Sequence, residues 1–271
     1  TNDNTPTITG TTNAAAGSTV TLVVTDSAGL VQTLTATVQP DGSYSATPAS
    51  ALADGSYTVD VSVTDSAGNT GVNNDSGSVD TTAPTISVVA PDNTNDNTPT
   101  ITGTTNAAAG STVTLVVTDS TGTVQTLTAT VQPDGSYSAT PASALADGSY
   151  TVDVSVTDSA GNTGVNNDTG SVDTTAPTIS VIAPDNTNDN TPTITGTTNA
   201  AAGSTVTLVV TDSAGLVQTL TATVQPDGSY SATPASALAD GSYTVDVSVT
   251  DSAGNTGVNN DTGSVDTTAP T

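Results

Sequence analysis

Tyr57-Thr58-Val59-Asp60-Val61-Ser62-Val63-Thr64 alternates without a fault. Tyr57, Val59, Val61 and Val63 fall on one face and Thr58, Asp60, Ser62 and Thr64 on the other, the two-residue period of a half-buried β-strand. Working outward, S-T-V-T-L-V-V-T-D puts Val20, Leu22 and Val24 on such a face, and V-Q-T-L-T-A-T-V-Q does the same with Leu34, Ala36 and Val38. Shorter runs carry Ile8, then Tyr44 with Ala46, then Val79, then Ile86 with Val88. The breakers between them, T-D-S-A-G, Q-P-D-G, A-D-G and D-S-A-G-N, are turn sequences. In L-A-D-G-S-Y, Leu52 precedes Tyr57 by five residues, the pattern of a tyrosine corner.

The same strands recur. T-N-D-N-T-P-T-I-T-G begins at Thr1, Thr94 and Thr187, a spacing of 93 residues, and the last copy is shorter, 85 residues to Thr271. Copies one and two differ only at Ala28/Thr121, Leu30/Thr123, Ser76/Thr169 and Val89/Ile182. Such a period is longer than the roughly 20 to 50 residues of a solenoid unit, so each copy is expected to be a domain with its own core. Seven short strands per unit with turn signals between them predict an all-β chain: tandem immunoglobulin-like, seven-strand Greek-key β-sandwich domains in an extended array. The expected domains are 1–84, 85–177 and 178–271. Copy one starts at Thr1 and so has no counterpart of Thr85 to Asn93, which predicts a first domain lacking its first strand and exposing an edge.

Composition narrows the chemistry. The chain has 271 residues and 26 acids, every one an aspartate, with no Lys, Arg or His, for a net charge of −26. Phosphate-backbone recognition and attraction to anionic membranes both run on Lys and Arg, so neither is expected. Without Cys, His or Lys there are no thiolate nucleophiles, imidazole bases, disulfides, zinc fingers or Schiff bases. No apolar run of about 20 residues spans a bilayer, and T-N-D-N has no signal-peptide character, so the chain reads as an internal piece. With no Phe, Trp or Met, the core must come from Val, Ile, Leu, Ala, Thr methyls and six Tyr, which favours thin sheets over helices. The expected partners are the neighbouring repeats of the same chain, with no nucleic acid, no membrane insertion, no small-molecule substrate and a monomeric state.

Strand parity places the aspartates. In copy two the expected strands are Ile86 to Ala90, Pro99 to Thr104, Thr112 to Thr118, Val124 to Gln132, Ser136 to Thr140, Tyr150 to Thr157 and Gly170 to Asp173. Alternating directions then gather Asp3, Asp26, Asp54 and Asp80 at one pole of copy one. The opposite pole of copy two presents Asp134 and a loop with Asp158, Asn162 and Asp168. The two acidic poles face each other across T-T-A-P, where Pro84 limits slack. Ca²⁺ takes six to eight hard oxygens from Asp, Asn, carbonyls and water, the groups assembled there. The candidate ligands are Asp3, Asp26, Asp65 and Asp80 in copy one, and Asp96, Asp119, Asp158, Asn162 and Asp173 in copy two. In copy three they are Asp189, Asp212, Asp251, Asn255 and Asp266.

Turn formation is the alternative use of any single Asp, and it is the reading for Asp41 and Asp54, each followed by Gly. Asp60 reads as a solvated strand face. The N-D-[S/T]-G stretches at Asp75, Asp168 and Asp261 match the aspartic-protease triplet, but that chemistry needs two such residues sharing a proton and each copy has one. An EF-hand over Asn93, Asn95 and Asn97 lacks its Gly and its Glu.

N-D-N-T-P-T-I-T-G (Asn2 to Gly10), S-T-V-T-L (Ser18 to Leu22), P-D-G-S-Y (Pro40 to Tyr44), A-L-A-D-G-S-Y-T-V (Ala51 to Val59), T-D-S-A-G-N (Thr64 to Asn69) and V-D-T-T-A-P (Val79 to Pro84) together carry a resemblance. The chain resembles the bacterial Ig-like extender repeats of large secreted surface adhesins. The resemblance implies tandem β-sandwiches that hold an adhesive tip away from a bacterial cell surface, extracellular, with calcium at the domain junctions. Asn93 to Pro99 is also similar to the cadherin junction pattern, departing at Asn93, while the Glu-bearing cadherin motifs are missing.

Two functions fit. One is a mechanical extender stiffened by Ca²⁺, favoured by the near-identity of the copies. The other is a binding module whose Thr- and Asn-rich faces recognise a glycan or another surface, including ice. Enzymatic activity is not expected, because Asp is the only general base available.

Overall fold

The computed structural model describes residues 1–270, and Thr271, the last residue of the expected third domain, lies outside the described residues. Copy one forms β1 (Ile8–Thr11), β2 (Thr19–Thr25), β3 (Val31–Thr37), β4 (Ser43–Ala46), β5 (Gly55–Thr64) and β6 (Thr70–Val79). Copy two forms β7 (Ile101–Thr104), β8 (Thr112–Thr118), β9 (Val124–Thr130), β10 (Ser136–Ala139), β11 (Gly148–Thr157) and β12 (Thr163–Val172). Copy three repeats them as β13 (Ile194–Thr197), β14 (Thr205–Thr211), β15 (Val217–Thr223), β16 (Ser229–Ala232), β17 (Gly241–Thr250) and β18 (Thr256–Val265). Each unit packs a four-stranded antiparallel sheet, β9-β8-β11-β12 in copy two, against the pair β7-β10. Val113, Leu115 and Val117 of β8 and Val152, Val154 and Val156 of β11 point inward to meet Ile101 and Tyr137 from the other sheet. Three separate cores result, one per copy.

Two strands depart from the sequence expectation. The last strand of each copy is ten residues long, Thr163–Val172 in copy two, and not the short Gly170 to Asp173 segment. Its polar G-V-N-N-D-T-G gives no apolar alternation, yet every residue pairs with β11, from Gly148↔Val172 to Thr157↔Thr163. Asp168 is therefore a strand residue, not part of a loop. The loop shrinks to the turn Asp158–Asn162, closed by Asp158 N donating to Asn162 O at 3.0 Å.

The other departure is the first segment. Ile86–Ala90 makes only two isolated antiparallel bridges, Ile86↔Thr105 and Val89↔Thr102. Side chains interrupt the ladder: the Tyr137 hydroxyl donates to Ser87 O and Asn166 Nδ2 donates to Ile86 O. The segment lies over one face of β12, and the sequence of that strand suits it. Gly164 lets the Pro84 carbonyl approach, Asn166 donates to Ile86 O, Asp168 Oδ2 accepts the Ala90 N–H at 2.9 Å, and Gly170 lets the Pro91 carbonyl approach. Beyond it the chain crosses to the four-stranded sheet, where Thr94 bridges Val172 in parallel. The tyrosine-corner reading is also corrected. Tyr150, the counterpart of Tyr57, donates its hydroxyl to Pro91 O at 2.8 Å, so it anchors this first segment and not the loop before its own strand.

Candidate functional site: the domain junctions

The polar turns of this chain are built on aspartate. Asp158 Oδ1 accepts the N–H groups of Ala160, Gly161 and Asn162, and its Oδ2 accepts Asn162 Nδ2 at 2.9 Å. These donors hold the Asp158 carboxyl below its ordinary range, the Asn162 amide first among them. The turn is thus a rigid knob. Asn162 Nδ2 also donates to Asp80 O of the preceding domain at 2.8 Å, and Asn255 Nδ2 reaches Asp173 O at 2.7 Å at the next junction. Gly161 packs against the Asn2 amide, where an added Cβ would stand 3.3 Å from Nδ2, and Gly254 faces Asn95 in the same way at 3.3 Å. Pro84 and Pro177, in the linkers, are buried. The poles that parity brought together do meet.

The fourteen candidate ligands divide by what their oxygens already do. Asp26, Asp119 and Asp212 are almost wholly buried, at 7%, 8% and 6% exposed. Each closes its own turn through Oδ1 and accepts through Oδ2 from the loop before the fifth strand of its copy, Ala53, Ala146 and Ala239 N at 3.0, 3.4 and 3.0 Å. The Ala53 N–H is the largest influence holding the Asp26 carboxyl low, as the Ala239 N–H is for Asp212. Asp65, Asp158 and Asp251 close the last turn of each copy, and Asn162 and Asn255 add the link across each junction. Asp3, Asp96 and Asp189 accept through Oδ1 from Thr5, Thr98 and Thr191, while Asp80, Asp173 and Asp266 accept through Oδ1 from Thr82, Thr175 and Thr268. In these last six, Oδ2 takes no donor among the described residues.

Asp41 is a turn former as read, with Oδ1 accepting Ser43 N and Oγ at 3.0 and 2.7 Å. Asp54 is not. It accepts from Thr81 and Thr82 at 2.9 Å each through their hydroxyls, tying its loop to the chain leaving β6, a role that the A-D-G triplet does not announce. Among the described residues no three acidic side chains cluster closely enough to hold a metal by themselves. The candidate side chains on either side of the first junction offer oxygens: Asp3 and Asp80 each accept through Oδ1, leaving Oδ2, and Asn162 donates through Nδ2, leaving Oδ1. Hard oxygens of mixed carboxylate, amide and carbonyl type are what Ca²⁺ prefers, so the residues suit the ion in kind.

The architecture is that of tandem antiparallel β-sandwiches, the second and third each pinned by a first segment laid over its last strand. The chain belongs to the bacterial Ig-like domain family, whose model matches residues 1–81, 83–174 and 166–267. A solved tetra-tandem repeat from the extending region of a large adhesion protein is 40% identical, covering 97% of this chain and 71% of that one, with a TM-score of 0.36. A structure concerned with host cell surface retention of a 1.5-MDa bacterial ice-binding adhesin is 28% identical over 97% of this chain and 92% of its own, TM-score 0.44. A Ca²⁺-stabilised adhesin with which an Antarctic bacterium binds ice is 30% identical over 97% and 68%, TM-score 0.42. No curated protein matches the chain.

Proposed function

We propose that the chain is an extender segment of a bacterial cell-surface adhesin, a series of spacers that sets distance and is stiffened by Ca²⁺ at its junctions. One observation carries the reading: the same junction is built twice, with Asn162 on Asp80 O and Asn255 on Asp173 O at 2.8 and 2.7 Å. A repeated, directional junction between near-identical domains fits a part whose output is length. The role stated for the tetra-tandem repeat, an extending region of a large adhesion protein, is the role proposed for this chain, and with it a place outside the cell. No enzymatic step is assigned.

Calcium would be held by Asp3, Asp80 and Asn162 at the first junction and by Asp96, Asp173 and Asn255 at the second. There it would supply positive charge between acidic poles that otherwise repel. Two like charges 4 Å apart cost about 1 kcal/mol even at bulk-water dielectric. The buried Asp26, Asp119 and Asp212 serve the turns in this scheme. The test is small-angle scattering of the chain in millimolar calcium and in excess chelator, with an Asp80→Asn/Asp173→Asn double variant. Calcium should narrow the distance distribution of the wild type and leave the variant as broad as the chelated form. Identical distributions in calcium and chelator would remove the ion from the mechanism and leave stiffness to the hydrogen-bonded junction alone.

A further inference from the structure

Each copy holds a single asparagine with a hydroxyl residue two places on: N-D-S at Asn74, and N-D-T at Asn167 and Asn260. Asn-x-Ser/Thr is the acceptor triplet of N-linked glycosylation, short enough to recur by chance. In domains two and three the fold adds what the letters alone do not carry.

The triplet lies in the extended last strand, at the rim of the four-stranded sheet. Asn167 and Thr169 therefore share the outer face of β12, and Asp168 takes the opposite one. Asn167 and Thr169 are both exposed, as are Asn260 and Thr262. Among the described residues the only hydrogen bonds to Asn167 and Asn260 outside the sheet ladder are those of their backbone N–H groups, so both side-chain amides are free. The middle residue is turned away and engaged: Asp168 Oδ2 accepts the Ala90 N–H and Asp261 Oδ2 that of Ala183, each at 2.9 Å. A free acid at the centre of the triplet would stand beside a phosphate leaving group and repel it. Here it is held on the far side of the strand.

Beside each amide is a shallow hollow. Val116, Asp153, Ser155 and Val165 line it next to Asn167, and Val209, Asp246, Ser248 and Val258 line its copy next to Asn260. Val165 and Val258 are 72% and 73% exposed, on a face that is otherwise mostly polar. A sugar ring carries C–H groups on its faces and hydroxyls at its rim. Linked to Asn167 and laid into the hollow, it would cover the valine and bring hydroxyls to Asp153 and Ser155, the mixture of apolar floor and few polar groups that suits a small ligand.

We infer that Asn167 and Asn260 are acceptors for an N-linked sugar on the folded chain. The co-substrate is a sugar activated as a diphosphate ester, and a separate glycosyltransferase presents it. Asn167 Nδ2 attacks the anomeric carbon and the C–N bond forms. The bond from that carbon to the phosphate oxygen breaks, the diphosphate leaves with the electron pair, and one amide proton passes to a base of the transferase. The Thr169 hydroxyl, on the same face, is the second group the transferase reads. Neither calcium nor the spacer role enters this chemistry.

The test exposes the folded 271-residue chain to two bacterial N-glycosyltransferases and locates the modified residues by mass spectrometry. One enzyme is soluble and uses a nucleotide-activated hexose; the other is membrane-bound and uses a lipid-linked oligosaccharide. At least one should load both Asn167 and Asn260, a single hexose pointing to the nucleotide carrier and an oligosaccharide block to the lipid. Thr169→Val keeps a β-branched side chain at an exposed strand position, so the domain stays folded, and circular dichroism checks this. It should abolish loading of Asn167 and leave Asn260 loaded. Thr169→Ser, which places there the residue that domain one has at Ser76, should retain it. No loading by either enzyme, loading only after unfolding in urea, undiminished loading of Thr169→Val, or sugar on asparagines outside the triplets would each overturn the inference.

Discussion

Gly71, Gly164 and Gly257 occupy the same position in three nearly identical domains, so one substitution can be made in two different surroundings. At Gly164 an added Cβ would overlap the Pro84 carbonyl oxygen and stand 2.9 Å from the carbonyl carbon; Gly257 meets Pro177 with the same 2.9 Å. At Gly71 the nearest atoms are 3.9 and 4.0 Å away, ordinary van der Waals contact. None of the three has a positive φ, so alanine is compatible with the backbone at each. Backbone atoms cannot turn aside as a side-chain end can. Gly164→Ala must therefore lift the linker off β12 or shift the strand, an overpacking cost of about 1–3 kcal/mol. Gly71→Ala has no such clash and removes glycine's unfolded-state entropy from a strand, a gain of about 0.5–1 kcal/mol. For a domain of this size each kcal/mol moves Tm by roughly 4–8 °C. Scanning calorimetry should show Gly71→Ala raising the transition of one domain by a few degrees. Gly164→Ala, where the same entropy gain offsets part of the clash, should lower one, and Gly164→Ala/Gly257→Ala should lower two. Shifts of the same sign at Gly71 and Gly164 would refute the claim that linker packing on the last strand distinguishes domain one from the others.

Asn162→Ala removes the donor to Asp80 O and one donor to Asp158, at about 0.5–1.5 kcal/mol per bond; scattering should show a looser first junction while circular dichroism stays β-like, and an unchanged distance distribution would rule the amide out as a strut. Asp212→Asn leaves one of three backbone N–H groups, from Ala214, Leu216 and Ala239, without its acceptor, and should destabilise domain three by about 1–3 kcal/mol in chemical denaturation. Because Asp26, Asp65, Asp158 and Asp212 are held below 3.8 when folded, their stabilisation is present above that pH and is lost as pH falls through the lowered values; thermal melts from pH 5 to 2 should show it. Burial pushes Tyr137, Tyr150, Tyr230 and Tyr243 up to about 12, so their contribution is present below pH 10 and is lost as pH rises toward 12; tyrosinate absorbance should appear together with unfolding of domains two and three.

The central strands were legible because burial on one face writes a two-residue period: β8 is Thr112–Thr118 as read, and β11 begins two residues earlier than read. β12 was not legible because its inward face meets backbone, not apolar side chains. Gly164, Asn166, Asp168 and Gly170 are chosen for close approach and hydrogen bonding, and such a strand looks like a loop to any hydrophobic criterion. The spacing G-x-N-x-D-x-G is itself a period of two, and it is the signal that could have identified the strand. The poles of the candidate site followed from parity alone, since a strand's direction needs no knowledge of its partners. What each carboxylate does at the pole did not follow, because Asp26 and Asp3 differ only in how many N–H groups the fold aims at them.

The charge of the chain bears on its form. With 26 aspartates and no basic side chain, no carboxylate can find an ion-pair partner among the side chains. Most instead cap a turn or a loop, taking N–H and hydroxyl groups, as Asp158 takes three N–H groups and an amide. Such bonds satisfy the oxygens locally without cancelling the charge, so repulsion persists beyond the turn and reaches about 10 Å at 0.1 M salt. Within a domain it is opposed by a thin core of Val, Leu, Ile and Tyr. Between domains little opposes it, and laying two such domains side by side brings more like charge within that range than joining them end to end. Repulsion therefore favours extension, and a few directional contacts at each junction suffice to select one orientation from the extended set. Salt should relax the first effect and leave the second. Calcium at the poles would act oppositely to salt in the one place where repulsion opposes the junction itself, drawing the Asp3 and Asp80 pole of domain one toward the Asn162 turn of domain two while the rest of the surface stays negative and keeps the array open.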